Sequence, residues 1–389
     1  MRSANQLAVF DAIHRHGPIS RVELAGLLRL SAASVTDITG ELIERRLVYE
    51  AREAVSTGVG RRKVLLEIDY EHASVVGVKV SNAAVHAAVT DLKGEVRASR
   101  VDPLASSEPE AVVAQVVASL QALRAGGWPE VVGLGVSVPG SVDPLSGTVT
   151  YSPLLGWNGV ALGERLERAS GLPVVLENDV NCLAAAEAWF GHGHEVSDFL
   201  VVTLGRGVGL GIVVNGSLYR GPRGGAGELG HVVLEPGGLD AAHSKAGTIE
   251  AYLSDDGLVR QARGAVDGFP ADGDVAALLA LADAADKQAL ALYQRAGGLL
   301  GQVLGMLVNL FAPSLVVLAG EGMRAERFIV PAARTSLAEH GFGDMGVRVP
   351  LVVEPWGDDA WARGVATLAA SHYMESEASR LGGERTPAR

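Results

Sequence analysis

The apolar pattern divides the chain into a helical opening and a longer body in which strands and helices alternate. In residues 1–70, apolar positions recur at helical spacing over three short segments, and Ser20 and Ser31 stand where helix caps are expected. Two short apolar segments, 47–50 and 64–68, then follow as the strands of a hairpin. Three short helices followed by a hairpin predict a winged helix-turn-helix domain.

From residue 73 onward, two similar α/β lobes are predicted, each beginning with a hairpin. Such a pair is typical of the actin-like sugar-kinase architecture, which binds its ligand in the cleft between the lobes. The predicted strands are 74–80, 84–90, 131–138, 174–176, 199–204, 212–214, 218–220 and 314–318, and the predicted helices are 109–125, 162–170, 285–310 and about 358–372. The predicted domains are a winged helix at 1–70, a first lobe at 71–195 to which the last helix returns, a second lobe at 196–357, and a polar tail at 375–389.

Charge and composition limit the classes of protein that fit this pattern. Residues 1–71 hold 10 basic and 10 acidic side chains, whereas the rest holds 23 basic and 35 acidic ones and so carries the whole net charge of −12. This split predicts two modules with different partners and argues against a chain that coats nucleic acid throughout. We expect a cytoplasmic protein without a membrane partner. The chain has a single cysteine, Cys182, and it shows no signal sequence and no apolar run long enough to span a membrane.

The predicted third helix and the wing after it contain candidate groups for contacting double-stranded DNA. Hydroxyl and acidic side chains on the helix can reach phosphates or base edges, and arginines on a glycine-containing loop suit the minor groove or the backbone. A helical interaction module with a solvated basic loop is the alternative. Because palindromic half-sites need two heads, a homodimer or a dimer of dimers is expected. The candidates are Ser31, Ser34, Thr36, Asp37, Thr39, Arg52, Arg61, Arg62 and Lys63.

An Asn-Asp pair follows the predicted strand 174–176 directly. The carboxyl end of a buried strand is where open α/β sheets place ligand-binding groups. Asn178 and Asp179 also precede an alanine-rich helix, so they can instead serve only as its cap. This stretch alone favours neither interpretation.

Six short motifs follow one another along the body of the chain, at 133–140, 155–158, 177–181, 203–211, 227–231 and 249–250. In this order they resemble the ROK family of transcriptional repressors, which shares its fold with bacterial sugar kinases. The resemblance implies a sugar-binding set in which carboxylates and amides exchange hydrogen bonds with sugar hydroxyls. Taken singly, several members also fit ordinary loop, core or helix-face positions. The implied set is Gly140, Asn158, Asn178, Asp179, Glu228, His231 and Glu250.

The segment that binds nucleotide phosphate in the family's kinases is altered here. Those kinases have an Asp and a Gly-Gly-Thr turn between the first two strands, and this chain has Lys79-Val-Ser-Asn-Ala83. A second loop, 205–211, keeps its glycines but has Arg206 where a small hydroxyl residue is usual. Asp179 matches the catalytic base of the kinases, and without a phosphate site it is expected to contact sugar only. We therefore expect no enzyme; the alternative is an ATP-dependent hexose kinase of the same family.

The zinc ligands usual in the family are also missing. The resemblance implies one His and three Cys, and the three Cys positions match Ala241, His243 and Thr248. Because the only cysteine is Cys182, we expect no metal and no other cofactor. His231 and His243 alone are too few ligands to favour a residual site.

Together, the two modules predict a sugar-responsive DNA-binding repressor of carbohydrate-metabolism genes. Its effector is expected to be a monosaccharide or a sugar phosphate in the interlobe cleft. A regulator that responds to a protein or to another metabolite is a further alternative.

Overall fold

An amino-terminal head precedes two α/β lobes in the computed structural model, which describes residues 2–52, 63–241, 244–354 and 359–380. The head contains three helices and one antiparallel sheet of order β1-β3-β2. The three helices and the hairpin are confirmed, and β1 is an additional strand that was not predicted. The elements are α1 (Arg2–His16), β1 (Ile19–Ser20), α2 (Arg21–Leu28), α3 (Ala32–Glu44), β2 (Val48–Arg52) and β3 (Val64–Ile68).

Local sequence explains where α2 and α3 begin. Ser20 and Glu23 form a capping box, in which the Ser20 hydroxyl accepts from the Glu23 amide and the Glu23 carboxylate accepts from the Ser20 amide at 2.9 Å. Ser31 caps α3 by accepting from the amide of Ser34 at 3.1 Å. The apolar sides of both helices then meet α1 in a core that includes the fully buried Leu24.

The first lobe is built on a five-stranded sheet of order β11-β7-β4-β5-β6. Strands β4, β7 and β11 are parallel, and β5 and β6 are antiparallel additions. A side sheet, β10-β9-β8, stands near the carboxyl end of β7. The elements are β4 (Ser74–Val80), β5 (Ala84–Asp91), β6 (Val96–Pro103), α4 (Pro109–Arg124), β7 (Val131–Val138), β8 (Ser141–Asp143), β9 (Thr148–Ser152), β10 (Trp157–Val160), α5 (Leu162–Ser170), β11 (Val174–Asn178) and α6 (Asp179–Phe190).

The second lobe repeats this plan with a sheet of order β14-β13-β12-β15-β16. Strands β12, β15 and β16 are parallel, and β12 and β13 form the opening hairpin, which confirms the predicted pair of α/β lobes. The predicted strand 218–220 is instead Ser217–Leu218, and the predicted strand 212–214 begins four residues earlier, at Val208. The elements are β12 (Phe199–Leu204), β13 (Val208–Val214), β14 (Ser217–Leu218), α7 (Ile249–Leu253), α8 (Asp255–Ala265), α9 (Val275–Asp283), α10 (Lys287–Phe311), β15 (Leu315–Ala319), α11 (Glu326–His340), α12 (Met345–Arg348) and β16 (Leu351–Val353).

The last helix, α13 (Asp359–Arg380), returns to the first lobe and packs across β4 and β7. The prediction that it ends near residue 372 and that a polar tail begins at 375 is wrong. Met374 and Ala378 are fully buried in one hydrophobic cluster with residues of the head, and Glu377 forms an ion pair with Arg45 at 2.9 Å. These tertiary contacts stabilise two further turns of helix in a segment whose sequence is mostly polar.

None of the helices in the described ranges combines the length and apolar character that crossing a membrane requires.

Candidate functional site

A cavity of about 820 Å3 lies between the two lobes. This volume is within the range of cavities that hold small molecules. Its wall is formed by the ends of strands and the first turns of helices from both lobes. Of the seven residues in the predicted sugar-binding set, six line it: Gly140, Asn178, Asp179, Glu228, His231 and Glu250.

Asn158 is the member of the set that the structure does not place in the cavity wall. It is exposed on β10, where it pairs with Tyr151 of β9. Tyr151 itself lines the cavity. Asn158 therefore stands beside the cavity and outside its lining.

Asn178 is held by two hydrogen bonds within the protein. It is the amino-terminal cap of α6, and its side-chain oxygen accepts from the amide of Asn181 at 3.1 Å. Its side-chain nitrogen donates to the carbonyl of Gly140 at 2.9 Å. One N–H and one lone pair of the amide remain for a ligand. The helix-cap interpretation is thus correct for Asn178, and capping also fixes the orientation of the group that faces the cavity.

Asp179 occupies the first position of α6, where its carboxylate accepts from the amide of Val180 at 3.0 Å. The residue is partly accessible from the cavity, but its carboxyl lies deep enough to be strongly desolvated. Burial raises the pKa of Asp179, and the nearby positive charge of Lys79 opposes that rise. A desolvated carboxyl with free lone pairs is suited to accept hydrogen bonds from a sugar hydroxyl.

Glu228 and His231 lie side by side on the second lobe, and each has its own hydrogen-bond partner. The Glu228 carboxylate accepts from the hydroxyl of Ser141 at 2.7 Å, which joins the two lobes at one side of the cavity. Its other oxygen lies 3.7 Å from Nε2 of His231, and Nδ1 of His231 lies 2.7 Å from the Ser244 hydroxyl. Each of these groups still has hydrogen-bonding capacity directed at the cavity.

The altered phosphate-binding segment contains an interlobe ion pair that sequence reasoning missed. Lys79 is 8% exposed; its Nζ lies 4.0 Å from a carboxylate oxygen of Glu321 on the second lobe and 3.7 Å above the ring of Trp361. Arg206 donates to the side-chain oxygen of Asn82 at 3.3 Å, which is a second link between the lobes. The departure from the family pattern at position 79 pointed to this region, but nothing in the sequence identified Glu321 or Trp361 as its partners.

Two glycines of the loop 205–211 have a packing role. A Cβ added to Gly209 would lie 2.4 Å from Cγ2 of Val180, and one added to Gly211 would lie 2.6 Å from Cβ of Ala184. Both glycines belong to β13, and they allow α6 of the first lobe to approach this strand closely. Their presence in the sequence is therefore explained by helix–strand packing without a bound phosphate.

The residues at the family's zinc positions do not fit a zinc ion. Ala241 has no ligand atom, and the buried hydroxyl of Thr248 donates to the carbonyl of Lys245 at 2.9 Å. His231 is engaged with Ser244, and His243 lies outside the described residues. No group of three potential metal ligands occurs within the described part of the chain. The loop that precedes α7 is instead joined to this helix by Tyr252. The Tyr252 hydroxyl donates to Glu235 at 2.5 Å and accepts from the amide of Leu239 at 3.2 Å.

On the head, α3 presents part of the predicted DNA-contacting set to solvent. Ser31, Thr36 and Asp37 are exposed, and Ser34 is half-buried beside the cap. Thr39 is fully buried, so the prediction that it faces DNA is wrong. Its hydroxyl accepts from Nε of Arg21 at 2.9 Å and lies on the same side of the helix as Val35 and Leu42. Residues 35, 39 and 42 recur at helical spacing, so the sequence alone could have placed Thr39 on the buried side of α3.

The predicted wing is described only at its base. Lys63 forms an exposed ion pair with Glu23 of α2 at 3.3 Å, and the backbone of Arg52 pairs with Val64 in the β2–β3 hairpin. Arg61 and Arg62 lie outside the described residues. The part of the basic set that is described thus lies next to the amino-terminal end of α2.

Comparisons with known proteins match both modules. A model of the ROK family matches residues 75–372. The N-acetylglucosamine repressor of Escherichia coli O6:H1 is 29% identical over 366 residues, which cover 90% of this chain and 89% of that protein. A crystal structure of a ROK family transcriptional regulator, a homolog of the E. coli MLC protein, is 25% identical and covers 98% of this chain and 99% of its own, with a TM-score of 0.86. A ROK family glucokinase from Streptomyces griseus, in complex with glucose and AMPPNP, is 27% identical and covers 77% of this chain and 99% of its own, with a TM-score of 0.68.

Proposed function

The chain belongs to the ROK family, and on that premise we propose that it is a sugar-responsive DNA-binding transcriptional regulator that represses carbohydrate-metabolism genes. A monosaccharide or sugar phosphate in the interlobe cavity is the effector, and double-stranded operator DNA is bound by the head. The observation that carries the proposal is the convergence of six predicted sugar-contacting residues on one cavity in a chain that also has a winged-helix head.

The chemistry of the cavity supports a polyhydroxylated ligand. Asp179 of α6, Glu228 of the loop that follows β14 and Glu250 of α7 supply carboxylate acceptors from both lobes. The Asn178 amide and the His231 ring add groups that can both donate and accept. A ring of sugar hydroxyls pairs with such a set, and a ligand without one of those hydroxyls leaves a buried polar group unpaired at a cost of about 1–3 kcal/mol.

The presence of the head supports a regulatory role for sugar binding in the cavity. The similar regulator structure covers 98% of this chain, whereas the similar glucokinase covers 77%. The exposed start of α3, with Ser31, Thr36 and Asp37, has the side chains and the position of a recognition helix. Paired half-sites require two such heads, so we propose a homodimer or a dimer of dimers.

A hexose kinase is the second candidate, because the glucokinase shares the two-lobed body. The ion pair between Lys79 and Glu321 is evidence against kinase activity. The Glu321 carboxylate, paired with Lys79, fills the space against Gly205, where a Cβ would lie only 2.5 Å from Glu321 Oε2, so this side chain stands where a nucleotide phosphate would approach that loop. A coupled assay with glucose and ATP is expected to show no turnover above background, and sustained turnover would favour the kinase.

The direct test of DNA binding is a mobility-shift titration with DNA from the promoter region of the chain's own gene. We expect specific binding that weakens as salt concentration rises, because each phosphate contact releases counterions. A scrambled duplex of equal length is the control. Equal affinity for both duplexes would contradict the proposal.

A further inference from the structure

Two helices extend from the interlobe cavity to the DNA-binding head. Helix α6 begins with Asp179 in the cavity and ends at Trp189 and Phe190, a distance of roughly 18 Å along its axis. Helix α13 has Trp361 in the cavity wall and Glu377 at the head, where it pairs with Arg45. We call α6 and α13 the bridge helices.

The bridge helices are closely packed against each other. Gly364 of α13 lies against α6, since a Cβ on it would be 3.0 Å from the carbonyl oxygen of Cys182. Interiors packed this closely move as units, so a displacement at one end of the pair is carried to the other end.

Helix α6 also contacts the second lobe near its amino-terminal end. Val180 and Ala184 fit against Gly209 and Gly211 of β13, where no side chain separates the helix from the strand. A ligand that draws the second lobe toward the first therefore pushes directly on the first two turns of α6. This contact gives effector binding a mechanical connection to the helix.

At the other end, α6 meets the first helix of the head through aromatic rings. The ring of His14 stacks on Trp189 with centroids 3.8 Å apart and an interplanar angle of 25°. Nδ1 of His14 lies 2.8 Å from the hydroxyl of Tyr70, and the ring of His194 approaches His14 edge-on at 5.8 Å. These contacts join the head to α6, beside the larger apolar cluster that the head shares with the first lobe.

The stack has an unsatisfied group. Nε1 of Trp189 is buried and has no hydrogen-bond partner among the described residues. A buried donor without a partner costs about 1–3 kcal/mol, so an arrangement of the head that gives this N–H a partner gains free energy at this one group. A contact of this kind is suited to a two-state element.

We propose that the bridge helices transmit effector binding to the head and that the stack of His14 on Trp189 is the contact through which they act. The inference rests on the proposed function, because it names the route by which the cavity regulates the head. Neither residue touches effector or DNA. Both are positioning residues, and the property they determine is the coupling between the two ligands.

The test measures coupling separately from binding. Operator affinity is determined by fluorescence anisotropy with and without N-acetylglucosamine, its 6-phosphate, glucose or xylose, each tested singly, and sugar affinity without DNA is determined by calorimetry. The variants are Trp189→Leu and His14→Leu, which remove the stack from opposite sides, and His14→Phe, which keeps a ring. Trp128→Leu, in the separate core cluster beneath α4, is the matched control.

In the unmodified chain, we expect one of these sugars to change operator affinity by about 5- to 150-fold, the usual range of allosteric coupling. Trp189→Leu and His14→Leu should bring that factor close to one and leave sugar affinity unchanged. His14→Phe should restore most of the effect, and Trp128→Leu should keep all of it.

Full coupling in both leucine variants, with circular dichroism showing that they are folded, would overturn the inference and leave the proposed function intact. An unmodified chain that binds its operator but responds to none of these four sugars, nor to any in a wider panel of free and phosphorylated monosaccharides, would overturn the proposed function, and the inference with it.

Discussion

Asn178 and Asp179 are neighbours in sequence but have different surroundings. The side-chain oxygen of Asn178 accepts from the amide of Asn181, and its side-chain nitrogen donates to the carbonyl of Gly140. Asp179 makes one short-range bond, to the amide of Val180, and faces the cavity. The first residue therefore shapes the turn, and the second presents the stronger acceptor to a ligand.

Asp179→Asn is expected to weaken sugar binding without destabilising the fold. A hydrogen bond to a charged acceptor contributes about 1.5–3 kcal/mol, which corresponds to a loss of affinity of roughly 10- to 150-fold. Because burial is the main cause of the raised pKa of Asp179, removing its charge should leave the melting temperature unchanged or higher. Calorimetry and thermal unfolding check the two effects, and Asp143→Asn, on the side sheet outside the cavity lining, is the control. Unaltered sugar affinity in Asp179→Asn would contradict this assignment.

His14 makes the fold sensitive to acid. Desolvation by burial, with the nearby His194 adding to it, lowers the pKa of His14 from 6.5 to about 4. Between these values the unfolded chain binds a proton that the native chain does not, so the free energy of unfolding falls as pH decreases from about 6.5 to about 4. The loss over that window is roughly 3 kcal/mol.

Urea unfolding of the unmodified chain and of His14→Phe, each at pH 7.5 and at pH 4.5, measures this contribution. The phenylalanine variant should lose less stability on acidification, because its ring cannot take up a proton. Equal losses in the two proteins would show that His14 is not the group responsible.

At the scale of elements, α3 offers two threonines one turn apart with opposite environments. Thr36 is exposed and Thr39 is fully buried beneath Arg21. Thr36→Ala should reduce operator affinity about 2- to 10-fold, the value of one hydrogen bond, and leave stability nearly unchanged. Thr39→Ala should reduce the free energy of unfolding by about 1–3 kcal/mol, because the Arg21 guanidinium loses a buried partner.

Anisotropy titrations and urea unfolding of both variants separate these effects, and each variant serves as the control for the other. A loss of operator affinity that is larger in folded Thr39→Ala than in Thr36→Ala would contradict this orientation of α3.

The segment between β14 and α7 lacks the cysteines of the family's zinc pattern. Tyr252 links Glu235 to the amide of Leu239 here, at positions close to those where the family pattern has metal ligands. We therefore expect an excess of EDTA to leave the sugar response of operator binding unchanged, whereas Tyr252→Phe should weaken sugar binding by loosening the loop. A response that EDTA abolishes and added zinc restores would show that the chain uses a metal.

Elements with strong local patterns could be predicted from the sequence. Strands 131–138 and 199–204 and helix 162–170 have the predicted bounds, since predominantly apolar runs or clear amphipathic periodicity define them. Strands β6, β8, β9, β10 and β16 were not predicted. Strand β6 is a largely exposed edge strand with several polar residues, and the other four are short and exist only through pairing with a neighbour. The end of α13 was misplaced for the same reason, as burial of Met374 and Ala378 against the head depends on tertiary structure.

The site was predictable in its residue types but less so in its geometry. Motifs in a fixed order identified six of the residues that line the cavity. The link from Lys79 to Glu321, in contrast, joins residues 242 positions apart and depends on how the two lobes meet. No local pattern contains that information.

At the scale of the whole molecule, the head and the first lobe share one hydrophobic cluster. Residues of α1 and α3 such as Phe10 and Leu42 belong to the same cluster as Val75 of β4 and Met374 of α13. The head therefore packs on the lobe that holds Asp179, so that a movement of the second lobe against α6 can reach the head through this shared core. This arrangement is what a ligand-controlled DNA-binding protein requires.

The measurement that tests this account most directly is the dissociation constant for the chain's own promoter DNA, determined by anisotropy in the presence and absence of a panel of free and phosphorylated sugars. The account predicts that one sugar changes this constant at least about fivefold, and that Asp179→Asn requires a much higher concentration of the same sugar for the same change. Specific DNA binding that no sugar alters, or a sugar response that Asp179→Asn leaves untouched, would contradict it.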